Sequence, residues 1–201
     1  MNNEQYLNSD TIKERPREIH PSVKLGKNVT IGIGCILEEG VVVGDDCFIG
    51  HHVLVRPSAK IGNGVGIRAF CLIDPDVEIG NGCQIYPYST ISGKTILGEN
   101  VYYGAYSVTA NSPAPGVIVP PVIEDNVIIY AGCKISPGVV IGKGAIIGMG
   151  SIITKDVPPM QVWYGTASTY KRDVTKKDLN IEEDQPWPPI ILEYLKELEG
   201  N

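Results

Sequence analysis

Large aliphatic residues return at every sixth position through most of this chain, and that period constrains the fold more than any other feature. Ile19 opens a frame that runs unbroken to Val108, through Leu25, Ile31, Leu37, Val43, Ile49, Val55, Ile61, Ile67, Ile73, Ile79, Ile85, Ile91, Leu97 and Tyr103. A second run begins near Val117 and continues through Ile123, Ile129, Ile135, Ile141, Ile147 and Ile153. Of 22 first positions, 21 are Ile, Leu or Val, although these types make up only 56 of 201 residues. A fixed period of this kind is the signature of a solenoid.

The other positions of the hexad agree. Fifth positions take small or branched residues, including Val29, Val41, Ala59, Ser89 and Thr95, and all five cysteines (Cys35, Cys47, Cys71, Cys83, Cys133). Of the 23 Gly, 10 stand at second and 8 at fourth positions, and five Pro stand at third positions. A fifth residue and the next first residue are two apart, so on a strand both point the same way. Both therefore face an interior. Third and fourth positions become turn centres, where Pro presets φ and Gly permits φ > 0, as in Pro137-Gly138. Short strands alternating with such turns predict stacked rungs.

Composition removes the main competitors. Ile and Val number 46 against 10 Leu, and 23 Gly with 15 Pro would break a helical bundle. A hydrophobic content of 43% can supply a core, which argues against disorder. The net charge of −6 speaks against a sequence-independent hold on nucleic acid. No apolar run approaches the ~20 residues of a membrane span. The polar start, MNNEQYLNSDTIKERPRE, lacks an apolar signal core, so a cytoplasmic protein is the expectation. Five Cys without a CxxC suit neither a disulfide framework nor a zinc ribbon.

The repeat [LIV]-[GAED]-x-x-[STAV]-x resembles the hexapeptide-repeat acyltransferases. The resemblance covers residues 19–158 and implies an all-β fold, a left-handed parallel β-helix with three hexads per triangular coil. The hand comes from the resemblance, since the general crossover rule favours the opposite one. Twenty-two hexads then make about seven coils, ~35 Å tall at ~4.8 Å per rung. Residues 1–18 form a polar N-terminal segment. Residues 109–116 (TANSPAPG) interrupt the frame and read as an inserted loop at one corner. Residues 159–201 read as a cap, followed by a short amphipathic C-terminal helix with Pro188 and Pro189 at its start and a stripe of Ile191, Leu192, Leu195 and Leu198.

The stretch IIGMGSIITKDVPP, within residues 146–159, resembles the terminal coils of acetyltransferases in this family, most closely those acting on nucleotide sugars. The resemblance implies acetyl-CoA as co-substrate, lying along the coils between subunits of a homotrimer. It assigns Gly132, Gly148 and Met149 to the pantetheine arm, and Lys155, Lys171 and Arg172 to the phosphates, where Lys acts as a point charge and Arg as a fork. The segment SVTANSPAP resembles the loop whose Asn, after a V-x-x-N pattern, contacts the amino group of the sugar. That Asn is Asn111; the family often follows it with an acidic residue, and here Ser112 follows. Asn is also a common turn residue tolerant of the left-handed region, so both readings stand for Asn111.

O-acetyltransferases of this fold often use a loop His as general base, because a hydroxyl is a poor nucleophile until deprotonated. This chain has His20, His51 and His52. The hexad of His51 and His52 is three coils, ~14 Å, from the one preceding the loop. An amine acceptor follows, with Glu124 or Asp125 as alternative bases and no metal. The leading expectation is N-acetylation of an amino-deoxy nucleotide sugar. O-acetylation, formyl transfer and a non-catalytic scaffold stand as alternatives. A carbonic anhydrase needs three convergent His on zinc, which His20 and the adjacent His51 and His52 do not supply.

Two surface patterns have no family warrant behind their reading. Fourth positions 18 apart read His52, Phe70, Tyr88, Tyr106, Gly132 and Gly150, with the step across the loop longer. This ladder is either rung-to-rung stacking or a platform for a sugar or base at Tyr88 and Tyr106. Outward sixth positions on one face read Ile36, Leu54, Leu72, Thr90 and Val108, an apolar stripe that predicts a subunit interface.

Overall fold

Each turn hands on to a two-residue strand built from a sixth residue and the following first residue, as in Leu54–Val55 and Lys60–Ile61. The computed structural model describes residues 7–8, 18–166, 169–176, 184–186 and 192. Strands three apart in sequence pair in parallel, one coil above another, with Leu54 opposite Leu72 and Leu72 opposite Thr90. The chain is thus a left-handed parallel β-helix with three faces.

Face A carries Thr30–Ile31, Phe48–Ile49, Gly66–Ile67, Gln84–Ile85, Tyr102–Tyr103, Ile128–Ile129 and Ile146–Ile147. Face B runs from Glu18–Ile19 to Ile152–Ile153, and face C from Lys24–Leu25 to Val140–Ile141. At the N-terminal end Leu7–Asn8 adds to face A antiparallel against Thr30–Ile31. At the other end Gln161–Tyr164 pairs with Ile146–Ile147, and Thr169–Asp173 folds back antiparallel upon it. The C-terminal helix expected over 188–200 lies outside the described residues, apart from Leu192.

The interior follows the hexad. First positions such as Ile31, Ile49, Ile67, Ile85 and Ile129 are fully buried. Tyr103, the one non-aliphatic residue among the 22 first positions read from the sequence, also points inward and donates its hydroxyl to the carbonyl of Thr90. Fifth positions face the same interior. Here the cysteines serve the structure directly. Cys35, Cys47, Cys71, Cys83 and Cys133 each donate Sγ–H to a second-position carbonyl of the coil above, at Gly50, Gly62, Tyr86, Gly98 and Gly148. Ser89 does the same to Gly104. A small donor at this position adds a side-chain partner to the second-position carbonyl, which at Gly104 also accepts from Ser107 N.

Turns are held by ladders of side chains. On the corner between faces C and A, Asp45 Oδ1 accepts from Lys27 N, Asn63 Oδ1 from Asp45 N, and Asn81 Oδ1 from Asn63 N. Fourth positions adopt the left-handed region from Asn28 to Tyr106 and from Asn126 to Gly150, whether Gly, Asn, Asp, Ser, Lys or a ring.

The insertion falls slightly later than the sequence frame suggests. Thr109 is a strand residue, 2% exposed, paired with Ile135, and Ala110 N still bonds to Ile135 O. Val108 pairs with Lys134, 26 residues on, where other coils step by 18, so eight residues are extra. They fall within the stretch from Asn111 to Val119, whose ends are joined across the loop base by Val119 N donating to Asn111 O. Val117, counted in frame by its identity, is a loop residue and 45% exposed.

Candidate active site

Corners decide which side chains can meet. A turn after a face-A strand lies on corner AB, one after face B on corner BC, and one after face C on corner CA. The expected site residues divide among all three.

Asn111 stands on corner BC, half-buried at the base of the loop. Its Nδ2 donates to Gly93 O at 2.9 Å. Directly inside, hydroxyls cluster: Ser92 Oγ lies 3.0 Å from Thr109 Oγ1, and Ser92 N donates to the same oxygen at 2.7 Å. Thr95 Oγ1 lies 3.3 Å from Ser92 Oγ. These bonds tie the strand that launches the loop to the coil below it. Sequence reasoning missed this cluster, whose only trace is Thr109 standing where the frame calls for an aliphatic. The loop itself carries Ser112 Oγ donating to Ala114 O and an exposed apolar run, Val117, Ile118 and Val119. Lys155 shares corner BC two rungs higher, ~10 Å along the axis, and is exposed.

Glu124 and Asp125 share a coil with Asn111 but stand on corner CA. Both carboxylates cap turns. Glu124 Oε2 accepts from Lys143 N at 2.7 Å and Asp125 Oδ1 from Glu99 N at 2.9 Å, with Lys143 Nζ 3.9 Å from Asp125 Oδ2. Asp125 therefore continues the Asp-Asn ladder of that corner. The structure does not bring this pair to Asn111 within one subunit.

Corner AB holds the rest. Gly132, Gly148 and Met149 lie on its upper rungs, and Met149 is 75% exposed. Gly148 permits a close approach: a Cβ there would come within 2.6 Å of Tyr164 Cβ. Lys171 Nζ sits 4.9 Å above the Tyr164 ring, so a cation stands beside the glycine rungs. Arg172, exposed on the same strand, donates Nη1 to Asp173 O. Tyr88 and Tyr106 also belong to corner AB, one face away from Asn111, so platform and loop are separate features of one subunit.

The expected ladder forms on this corner. His52, Phe70, Tyr88 and Tyr106 stack with centroids 5.2, 5.0 and 5.0 Å apart and planes within 11°. All four hold φ between 54° and 62°, a region that bulky residues seldom occupy. The histidines are engaged far from the loop: His51 Nδ1 accepts from Ile33 N, and His20 Nδ1 meets Ser22 Oγ. Among the described residues no group of three His, Cys, Asp or Glu is placed to hold a metal, and no helix is long and apolar enough to cross a membrane.

The bacterial transferase hexapeptide family (six repeats) matches residues 22–57, 58–93 and 120–155, and the chain belongs to that family. The gap in the match, 94–119, contains the loop. Among curated proteins, the 2,3,4,5-tetrahydropyridine-2,6-dicarboxylate N-acetyltransferase of Halalkalibacterium halodurans is 45% identical over 84 residues, 42% of this chain and 35% of that relative. The chain thus matches about a third of that relative's length. Solved structures share the fold. The UDP-N-acetylglucosamine acyltransferase from Campylobacter jejuni has a TM-score of 0.59 at 16% identity, covering 89% of this chain and 79% of that one. A variant of AntD, an N-acyltransferase from Bacillus cereus, in complex with dTDP and coenzyme A, has a TM-score of 0.51 at 18% identity, covering 96% and 98%.

Proposed function

We propose that this protein is an acetyl-CoA-dependent acyltransferase that N-acetylates an amino-deoxy sugar carried on a nucleotide. The observation that carries the reading is membership of the hexapeptide transferases, joined to an eight-residue break of the coil at Asn111. The relative named as an N-acetyltransferase supports transfer of an acetyl group to nitrogen, and the fold neighbour captured with dTDP and coenzyme A supports a nucleotide-bearing acceptor with that co-substrate.

Gly132, Gly148 and Met149 would line the pantetheine arm, with Lys171 and Arg172 toward the phosphates and Lys155 on the next corner. The acceptor amine, neutral when bound, attacks the thioester carbonyl carbon. A C–N bond forms, the C–S bond breaks, and the nitrogen's proton passes through solvent to the departing thiolate. Asn111 is suited to orient the amine: its Nδ2 is fixed on Gly93 O, leaving Oδ1 to accept from the incoming N–H. No strong base is needed for this nucleophile, in keeping with the distance of all three His from the loop. Glu124 and Asp125 reach an acceptor at Asn111 only across the interface of a parallel trimer, where threefold symmetry preserves height along the axis. The half-buried stripe Ile36, Leu54, Leu72, Thr90 and Val108 on face B is the surface we assign to that interface.

Thermal unfolding with acetyl-CoA tests this reading. A ligand at 100 times its Kd adds ~2.7 kcal/mol of stability, a shift of a few degrees. Absence of any shift at millimolar acetyl-CoA would favour a non-catalytic scaffold.

A further inference from the structure

The aromatic ladder of corner AB ends on a face that nothing covers among the described residues. Phe70 and Tyr88 each have a ring above and below, whereas among the described residues Tyr106 is stacked on Tyr88 alone. Exposure rises along the ladder, from 48% at Phe70 and 50% at Tyr88 to 66% at Tyr106. The next two rungs at this corner are Gly132 and Gly150, both with φ near 70°. A Cβ on Gly132 would meet only Gly150 backbone, at 3.8 Å, and one on Gly150 would meet nothing within 4 Å. Tyr106 leaves that space clear, since no atom of its ring comes within 4 Å of this position. Among the described residues, a side-chain-free slot two rungs high, ~10 Å, therefore opens beyond Tyr106. Exposed Met149 and Tyr130, from neighbouring turns of the same corner, add soft apolar surface.

We propose that the slot takes a planar heteroaromatic ring of a ligand, a nucleotide base, which stacks on Tyr106 at the rung of Gly132 and continues the 5.0 Å repeat of the ladder. A base fits this site better than a sugar, because the ladder planes are parallel to within 7° at its end and offer a flat face. The preceding proposal bears only on the source of the base: adenine of coenzyme A, or the base of the sugar nucleotide. Stacking itself does not depend on turnover.

Equilibrium binding to the full chain provides the test, using 3′,5′-ADP as the head of coenzyme A, and UDP and dTDP as acceptor heads. Tyr106→Asn removes the ring while keeping a residue tolerant of the left-handed region. One lost base–aromatic stack should raise Kd ~5- to 100-fold. Tyr106→Phe should bind as the native chain does. Gly132→Asn, which fills the slot and leaves the ladder intact, should weaken the same nucleotide. Loss on 3′,5′-ADP assigns the slot to coenzyme A, and loss on UDP or dTDP assigns it to the acceptor. Unchanged Kd for every nucleotide in both Asn variants would overturn the inference while leaving acyl transfer standing. Failure of the native chain to bind any of them would overturn both.

Discussion

Cysteine at the fifth position illustrates how one residue type answers two demands. The interior asks for small apolar volume, and the second-position carbonyl of the next coil asks for a donor. All five thiols meet both. Burial pushes Cys71 and Cys83 up from the ordinary 9.0 to about 11, against the opposing pull of nearby backbone N–H groups. The buried phenol of Tyr103 is raised as well. Above pH ~9 the unfolded chain releases these protons while the folded chain keeps them. The unfolded state then binds fewer protons, so stability falls as pH rises through the window from 9.0 to about 11. Cys71 and Cys83 each contribute on the order of 2 kcal/mol to that loss. A thiol reagent at pH 8 should label none of the five cysteines until the chain is unfolded, and the denaturant midpoint should drop between pH 8 and pH 10.5. Rapid labelling of the native protein would contradict their placement.

At the scale of the element, the strands were legible because each hexad repeats one physical compromise between a large inward aliphatic and a left-handed turn. The aromatic ladder was legible from its 18-residue spacing for the same reason. The loop was harder to place. Its length of eight follows from the frame shift, but Thr109 is a polar residue at a core position, and exposed Val117 imitates one. Burial of Thr109 is made tolerable by Ser92 and Thr95, partners that no periodicity reveals. The division of Asn111, Glu124 and Tyr106 among three corners was implicit in their hexad positions and became plain only with the coils assembled. Removing residues 113–120 tests the loop's role. The joined sequence Thr109-Ala110-Asn111-Ser112-Pro121-Val122 restores an 18-residue coil, with Ser at the left-handed position as at Ser58. The variant should keep the cooperative unfolding and far-UV spectrum of the parent and lose transfer at least tenfold. Parent-like turnover in a folded deletion would move the acceptor site elsewhere.

For the molecule as a whole, the three faces differ in the surface they present. Face C carries the Lys60–Glu78 pair at 2.7 Å beside exposed Val42 and Ile96, while face B shows its apolar stripe. The apolar stripe of face B and the exposed Val117, Ile118 and Val119 of the loop are the surfaces on which the proposed threefold assembly would bring corners of neighbouring subunits together. That arrangement offers the way in which residues split among corners could serve one centre. The central claim remains chemical: an amine accepts an acyl group from acetyl-CoA. Its most direct test is to supply acetyl-CoA with nucleotide-linked amino sugars, and with their hydroxyl counterparts, and to follow release of free thiol. The account predicts thiol release with one or more amino sugars, lowered at least tenfold by Asn111→Ala. Robust acetylation of a sugar hydroxyl, with no turnover of any amino sugar, would contradict it.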